Sequence, residues 1–113
     1  MYRFILGENE RILKKSEASL HIDGVGLTGA LYLTNERLVF VGFVLGASHQ
    51  QQKAVFLNQI KEIKVGKTFC IIPNVLHITI SEDERFKVIV TGRDEWLSAI
   101  RNQMVAMGKT NVP

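Results

Sequence analysis

Cysteine occurs once in the 113 residues, at position 70, so no disulfide can form within the chain. Its neighbours Phe69, Ile71 and Ile72 suit a buried thiol, and the setting expected for such a chain is the reducing cytoplasm. Long apolar runs are missing as well. Nothing approaches the ~18 uninterrupted apolar residues of a membrane-spanning helix, and the run Met1 to Leu6 is too short for the core of a signal peptide. No Pro-, Gly- or Ser-rich stretch divides the chain, so one domain over residues 1–113 is expected. Nor does one sign of charge dominate. The 14 Lys and Arg are interleaved with 11 Asp and Glu, which leaves a net charge of +3 and no block of cations to bind nucleic acid. An ordinary solvated surface accounts for that small excess, and an anionic membrane is compatible with it.

Catalytic spacings are absent too. His21, His49 and His77 are scattered, and no HExxH, CxxC or nucleophile-elbow pattern occurs. Gly24-Val25-Gly26 leads into a strand and lacks the helix N-terminus and Lys-Ser/Thr pair of a phosphate-cradling loop. The aromatics fall mainly in apolar runs instead of alternating with Arg as stacking platforms. A non-catalytic chain is expected, with no cofactor, no metal ligand set, no small-molecule substrate and no nucleic-acid partner.

What is present is alternation. Residues 10 to 22 read as a long first strand stopped by the turn Asp23-Gly24. Leu27, Gly29, Leu31 and Leu33 then face one way and Thr28, Ala30, Tyr32 and Thr34 the other. Short strands are expected over 54–57 and 60–65, with Asn58-Gln59 as a tight hairpin turn between them. Leu76, Ile78 and Ile80 alternate with His77, Thr79 and Ser81, and Phe86, Val88 and Val90 return across a charged tip at Glu82-Asp83-Glu84. From Arg93 the period changes to that of a helix, with Trp96, Leu97, Ile100, Met104 and Met107 in phase until Gly108. Thr91 and Asp94 have the spacing of a capping box. The fold class is therefore mainly β, seven strands over about 10–91, with one C-terminal helix over about 93–107 and a short tail at 108–113. A strongly bent sheet or sandwich plugged by Trp96 satisfies this pattern.

Several segments, in order, carry a family resemblance. They are Gly7-Glu8, Gly29 to Phe40 with its Leu-Tyr-Leu-Thr-Asn-x-Arg-Leu core, Ile60-Lys61-Glu62-Ile63, Pro73-Asn74 and Arg93-Asp94-Glu95-Trp96. The chain resembles a GRAM domain, a member of the pleckstrin-homology-like superfold. That resemblance implies a seven-stranded, partly open barrel capped by the C-terminal helix. It does not fix a ligand, because domains of this superfold bind phosphoinositides, peptides or proteins. Phosphoinositide binders of the fold commonly carry Lys and Arg around the loop between the first two strands, whereas His21 to Gly26 contains none and includes Asp23.

Two surfaces remain as candidates. The third strand is apolar at both parities, so Val39, Val41, Phe43 and Leu45 need cover on the face opposite Leu38 and Phe40. Cover comes either from a protein partner, most simply a second copy, or from the domain's own helix or termini. The other candidate is Phe69 to Pro73 preceded by Lys61, Lys64 and Lys67. Phe69, Ile71 and Ile72 either finish a core strand, which the sequence favours, or insert into an anionic membrane while the lysines meet headgroups. The leading expectation is a binding module for protein association, including self-association. The alternative is a cytoplasmic domain bound peripherally to anionic lipid.

Overall fold

A computed structural model describes residues 4–44, 50–69 and 71–108. Seven strands form one antiparallel sheet: β1 Ile12–Ile22, β2 Val25–Thr34, β3 Arg37–Val44, β4 Gln51–Phe56, β5 Glu62–Thr68, β6 Ile72–Thr79 and β7 Arg85–Val90. Their spatial order is β4-β3-β2-β1-β7-β6-β5. β1 is thus the hub. Its second half pairs with β2 on one side and β7 on the other, with Leu20 opposite both Leu27 and Val88. The sheet's two edges, β4 and β5, do not pair with each other, and the helix α1, Arg93–Ala106, fills the space that a closed barrel would have sealed.

The alternation read from the sequence sets the core. Leu20, Leu31, Leu33, Phe40, Leu76, Ile78 and Val88 point inward and meet Trp96, Ile100 and Met104 from α1. Trp96 retains 1% of its surface, and its Nε1 donates to Ser16 Oγ at 3.2 Å, so the one polar atom of the plug is satisfied. Met107, expected in the helical apolar stripe, instead follows the last turn and is exposed. Gly108, at φ +83°, carries the chain out of the helix in the left-handed conformation that glycine adopts at least cost.

Two local expectations are overturned. No hairpin joins the segments 54–57 and 60–65. Leu57 and Ile60 are both wholly buried, so a single 3-10 turn at Leu57–Gln59 steps through the core from one sheet edge to the other. The Lys61 N–H then donates to the Thr79 carbonyl at 2.8 Å and hooks β5 onto β6. Thr91 does not cap α1 either. The N-cap is Gly92 at φ +76°, with no side-chain bond, while Asp94 and Glu95 lie in the first turn as the helix dipole favours.

Candidate functional site

The second face of β3 is closed by the chain itself. Val39 and Val41 are 0% exposed and cluster with Ala30 and Tyr32 beneath Phe4, whose ring meets that of Tyr32 edge-on at 5.0 Å. Phe43 is half-buried, and Leu45 lies outside the described residues. Val39 and Val41 are therefore not available as a protein-contact surface in this structure, which corrects that expectation. The apolar area that demanded cover receives it from the segment before β1.

A buried ion pair holds that segment down. Arg37 donates from Nε to Glu10 Oε2 at 2.8 Å and from Nη2 to Oε1 at 2.7 Å, a bidentate pair on a carboxylate that is 1% exposed. Thr34 Oγ1 donates to Glu10 Oε2 at 2.6 Å, and the Gly7 N–H donates to Oε1 at 2.8 Å. The Arg37 hydrogen bonds, reinforced by those from Thr34 and Gly7, hold the Glu10 carboxyl at about 2 against the opposing effect of burial. Asn35 completes the clamp: its Oδ1 accepts from the Arg11 N–H and its Nδ2 donates to the Asn9 carbonyl. The segment Thr34-Asn35-Glu36-Arg37 thus fastens the N-terminal strap. Sequence reasoning singled out the motif and missed its task.

The apolar run at 69–72 is placed differently. At the tip of the β5–β6 hairpin the Ile71 N–H donates to the Thr68 carbonyl at 3.1 Å, and Cys70 lies outside the described residues. Phe69 is 84% exposed and Ile71 77%, with Ile72 and Val65 about half exposed beside them. These residues do not finish a core strand. Phe69 also adopts φ +53°, a left-handed conformation that is unusual for a bulky side chain. The tip is braced from behind. Thr68 Oγ1 donates to Asn74 Oδ1 at 2.6 Å, and Arg93 Nη1 donates to the Gly66 carbonyl at 2.8 Å, next to the register shift between Gly66 and Thr68.

The three lysines are not gathered at that tip. Lys67 lies two residues from Phe69, but Lys64 is in mid-strand, 3.8 Å from Glu62, and Lys61 precedes β5 at the opposite end of the sheet. That far end is acidic. The antiparallel register brings Asp23 in the β1–β2 turn to the same end as Glu82, Asp83 and Glu84 in the β6–β7 turn. Lys53 from β4 crosses to Glu84 at 2.7 Å and partly offsets it. A polyphosphate headgroup would meet carboxylates there.

Among the described residues, no group of three or more His, Cys, Asp or Glu is placed to hold a metal ion. A family model for the GRAM domain matches residues 1–103. The chain belongs to the GRAM domain family. No curated protein matches the chain. Among solved structures, this GRAM domain is similar to the C-terminal domain of an unknown protein from Leishmania infantum, at TM-score 0.70 and 18% identity over 85% of each chain. It is also similar to the Vps36 N-terminal PH domain, at TM-score 0.66 and 14% identity over 91% of this chain and 85% of that one. The hSac2 domain from human phosphoinositide phosphatase Sac2 follows at TM-score 0.68 and 12% identity, over 90% and 74%. At such identities the likeness concerns the fold: seven antiparallel strands curled into a half-barrel with one C-terminal helix, as in PH domains. A GRAM domain is a kind of binding module.

Proposed function

We infer that this GRAM domain binds peripherally to anionic membranes through the β5–β6 hairpin tip. The observation that carries the reading is the exposure of Phe69 and Ile71 at the end of a braced hairpin, with Lys67 alongside. No helix of the described residues is long and apolar enough to cross a membrane, so the contact rests on insertion of side chains. Burying one such side chain in an apolar phase contributes roughly 1.5–3 kcal/mol, and a lysine near an anionic surface about 1 kcal/mol. Two apolar anchors and one cation give a weak, reversible attachment of the kind that a second signal strengthens. The acidic end of the barrel points the opposite way, so its carboxylates do not face lipid that meets the tip.

Co-sedimentation with vesicles of phosphatidylcholine and phosphatidylserine tests this. The wild type should pellet in a salt-sensitive manner, and the double variant Phe69→Ser, Ile71→Ser should lose most of that binding while keeping its melting temperature. Absence of lipid-dependent pelleting by the wild type overturns the reading.

A further inference from the structure

The half-barrel has two free edges, and they are guarded unequally. β5 carries Glu62, Lys64 and Lys67, its register with β6 shifts between Gly66 and Thr68, and Arg93 takes the Gly66 carbonyl. Charge, irregularity and cover of this kind keep a sheet edge from pairing with another strand. β4 is different. Its residues Gln51–Phe56 pair with β3 without a register shift, and proline is absent from them. Its one charged residue, Lys53, lies on the core side with Val55, where Nζ meets Glu84 at 2.7 Å and stands 5.9 Å from the Phe86 ring centroid. That lysine is held across the barrel mouth and does not guard the edge. The helix α1 packs chiefly on β6 and on the 3-10 turn, and Gln51, Gln52, Ala54 and Phe56 remain exposed.

The hydrogen bonds show which backbone groups of β4 are open. Phe56 stands opposite Arg37, yet the two exchange no bond: the Arg37 N–H donates to Thr34 Oγ1, and the Phe56 N–H donates to Gln59 Oε1 at 3.0 Å. Bonded and unbonded pairs alternate along an antiparallel ladder, so Ala54 opposite Val39 and Gln52 opposite Val41 are unbonded pairs too. The N–H and C=O of Gln52 and Ala54 therefore point away from β3. Among the described residues, no hydrogen bond reaches them from the open side. Phe56 adds nothing to this edge, because it caps the 3-10 turn that follows and the turn occupies both its N–H and its carbonyl.

We propose that the free edge of β4 pairs antiparallel with β4 of a second copy about a two-fold axis at Lys53. In that register Gln52 lies opposite the partner's Ala54, and Ala54 opposite the partner's Gln52. The donors and acceptors of each copy then meet those of the other, and none is left over. Moving the axis to Ala54 sets Gln52 against the partner's Phe56, whose backbone groups are already occupied, and halves the number of bonds. The register at Lys53 brings two lysines face to face, an arrangement that destabilises a sheet unless it is neutralised. Glu84 supplies that neutralisation in each copy. Such a contact is smaller than the standard interface of about 1,600 Å², so association is weak, with a dissociation constant on the order of 100 μM. It uses the edge of the sheet, and Val39 and Val41 stay beneath the strap.

Sedimentation velocity of the full chain from about 10 μM to about 1 mM, together with amide hydrogen exchange at both limits, tests the pairing. The wild type should pass from monomer to dimer. The Gln52 and Ala54 amides should exchange fast when dilute and slowly when concentrated, while those of Lys53 and Val55 are slow throughout. Ala54→Pro removes one outward N–H at a place where an edge strand tolerates proline, and should abolish the dimer with the dilute protein's melting temperature unchanged. Glu84→Gln should weaken the dimer about fivefold by leaving the facing lysines uncompensated, and adding Lys53→Gln should restore it. A strict monomer at 1 mM leaves the edge to a strand of another protein and overturns the proposal. So does a dimer whose protection falls on β5, or one in which Gln52 and Ala54 exchange equally fast at both concentrations.

Discussion

Glu10 lies in Gly7-Glu8-Asn9-Glu10, a stretch whose composition suggests a solvated turn, yet its carboxylate is buried under four hydrogen bonds. Because its pKa is lowered from 4.5 to about 2 on folding, the stability it contributes is complete above about pH 4.5. That contribution declines as pH falls and is lost below about pH 2. A shift of this size corresponds to about 3 kcal/mol. Glu10→Gln should therefore unfold about 3 kcal/mol more easily in urea at pH 7 and lose most of the wild type's decline in stability between pH 4.5 and pH 2. Equal pH dependence in both proteins would show that Glu10 is not the group responsible. Trp96 is the corresponding residue of the core. Trp96→Ala should cost about 3–5 kcal/mol, because the cavity lies between α1 and the sheet where neither can collapse. Ser16→Ala removes the indole's acceptor together with a long, exposed bond from Ser16 Oγ to the Glu17 carbonyl and should cost about 1 kcal/mol.

At the scale of elements, the hairpin tip joins local strain to exposure. A left-handed conformation costs an ordinary L-residue roughly 1–2 kcal/mol, and asparagine tolerates it better than phenylalanine does. Phe69→Asn should leave stability unchanged or raise it by about 1 kcal/mol while weakening vesicle binding, which calorimetry and co-sedimentation on one preparation would measure. A variant less stable than the wild type would mean that the Phe69 ring is holding the hairpin together. β7 and most of β6 were legible in the sequence because burial mainly on one face imprints a period of two, and β2 shows that period in residue type although both of its faces are covered. The partners of β4 and β5 were not, since Asn58-Gln59 between short apolar runs looks the same whether the chain reverses or crosses the core. The strap was illegible for a related reason: two-sided burial of β3 states that cover exists and not where it comes from. Lys61, Lys64 and Lys67 look clustered in sequence, but an extended strand spreads them over about 20 Å.

For the whole molecule, the barrel has two unlike ends. Asp23, Glu82, Asp83 and Glu84 sit at one, and Lys67, Phe69 and Ile71 at the other, separated by the eight residues of β6. That span is about 26 Å, some three Debye lengths at physiological ionic strength. A membrane touching the tip is therefore screened from the acidic end, and the two ends should respond to mutation independently. Lys67→Glu replaces an attraction by a repulsion and should weaken binding to phosphatidylserine vesicles about tenfold or more. Reversing Glu82 and Asp83 to Lys should change that affinity by less than about twofold, because those charges lie beyond the screened field. If the reversal at 82 and 83 instead strengthens binding as much as Lys67→Glu weakens it, the domain approaches lipid by its loop end, and the hairpin tip is not the part that enters.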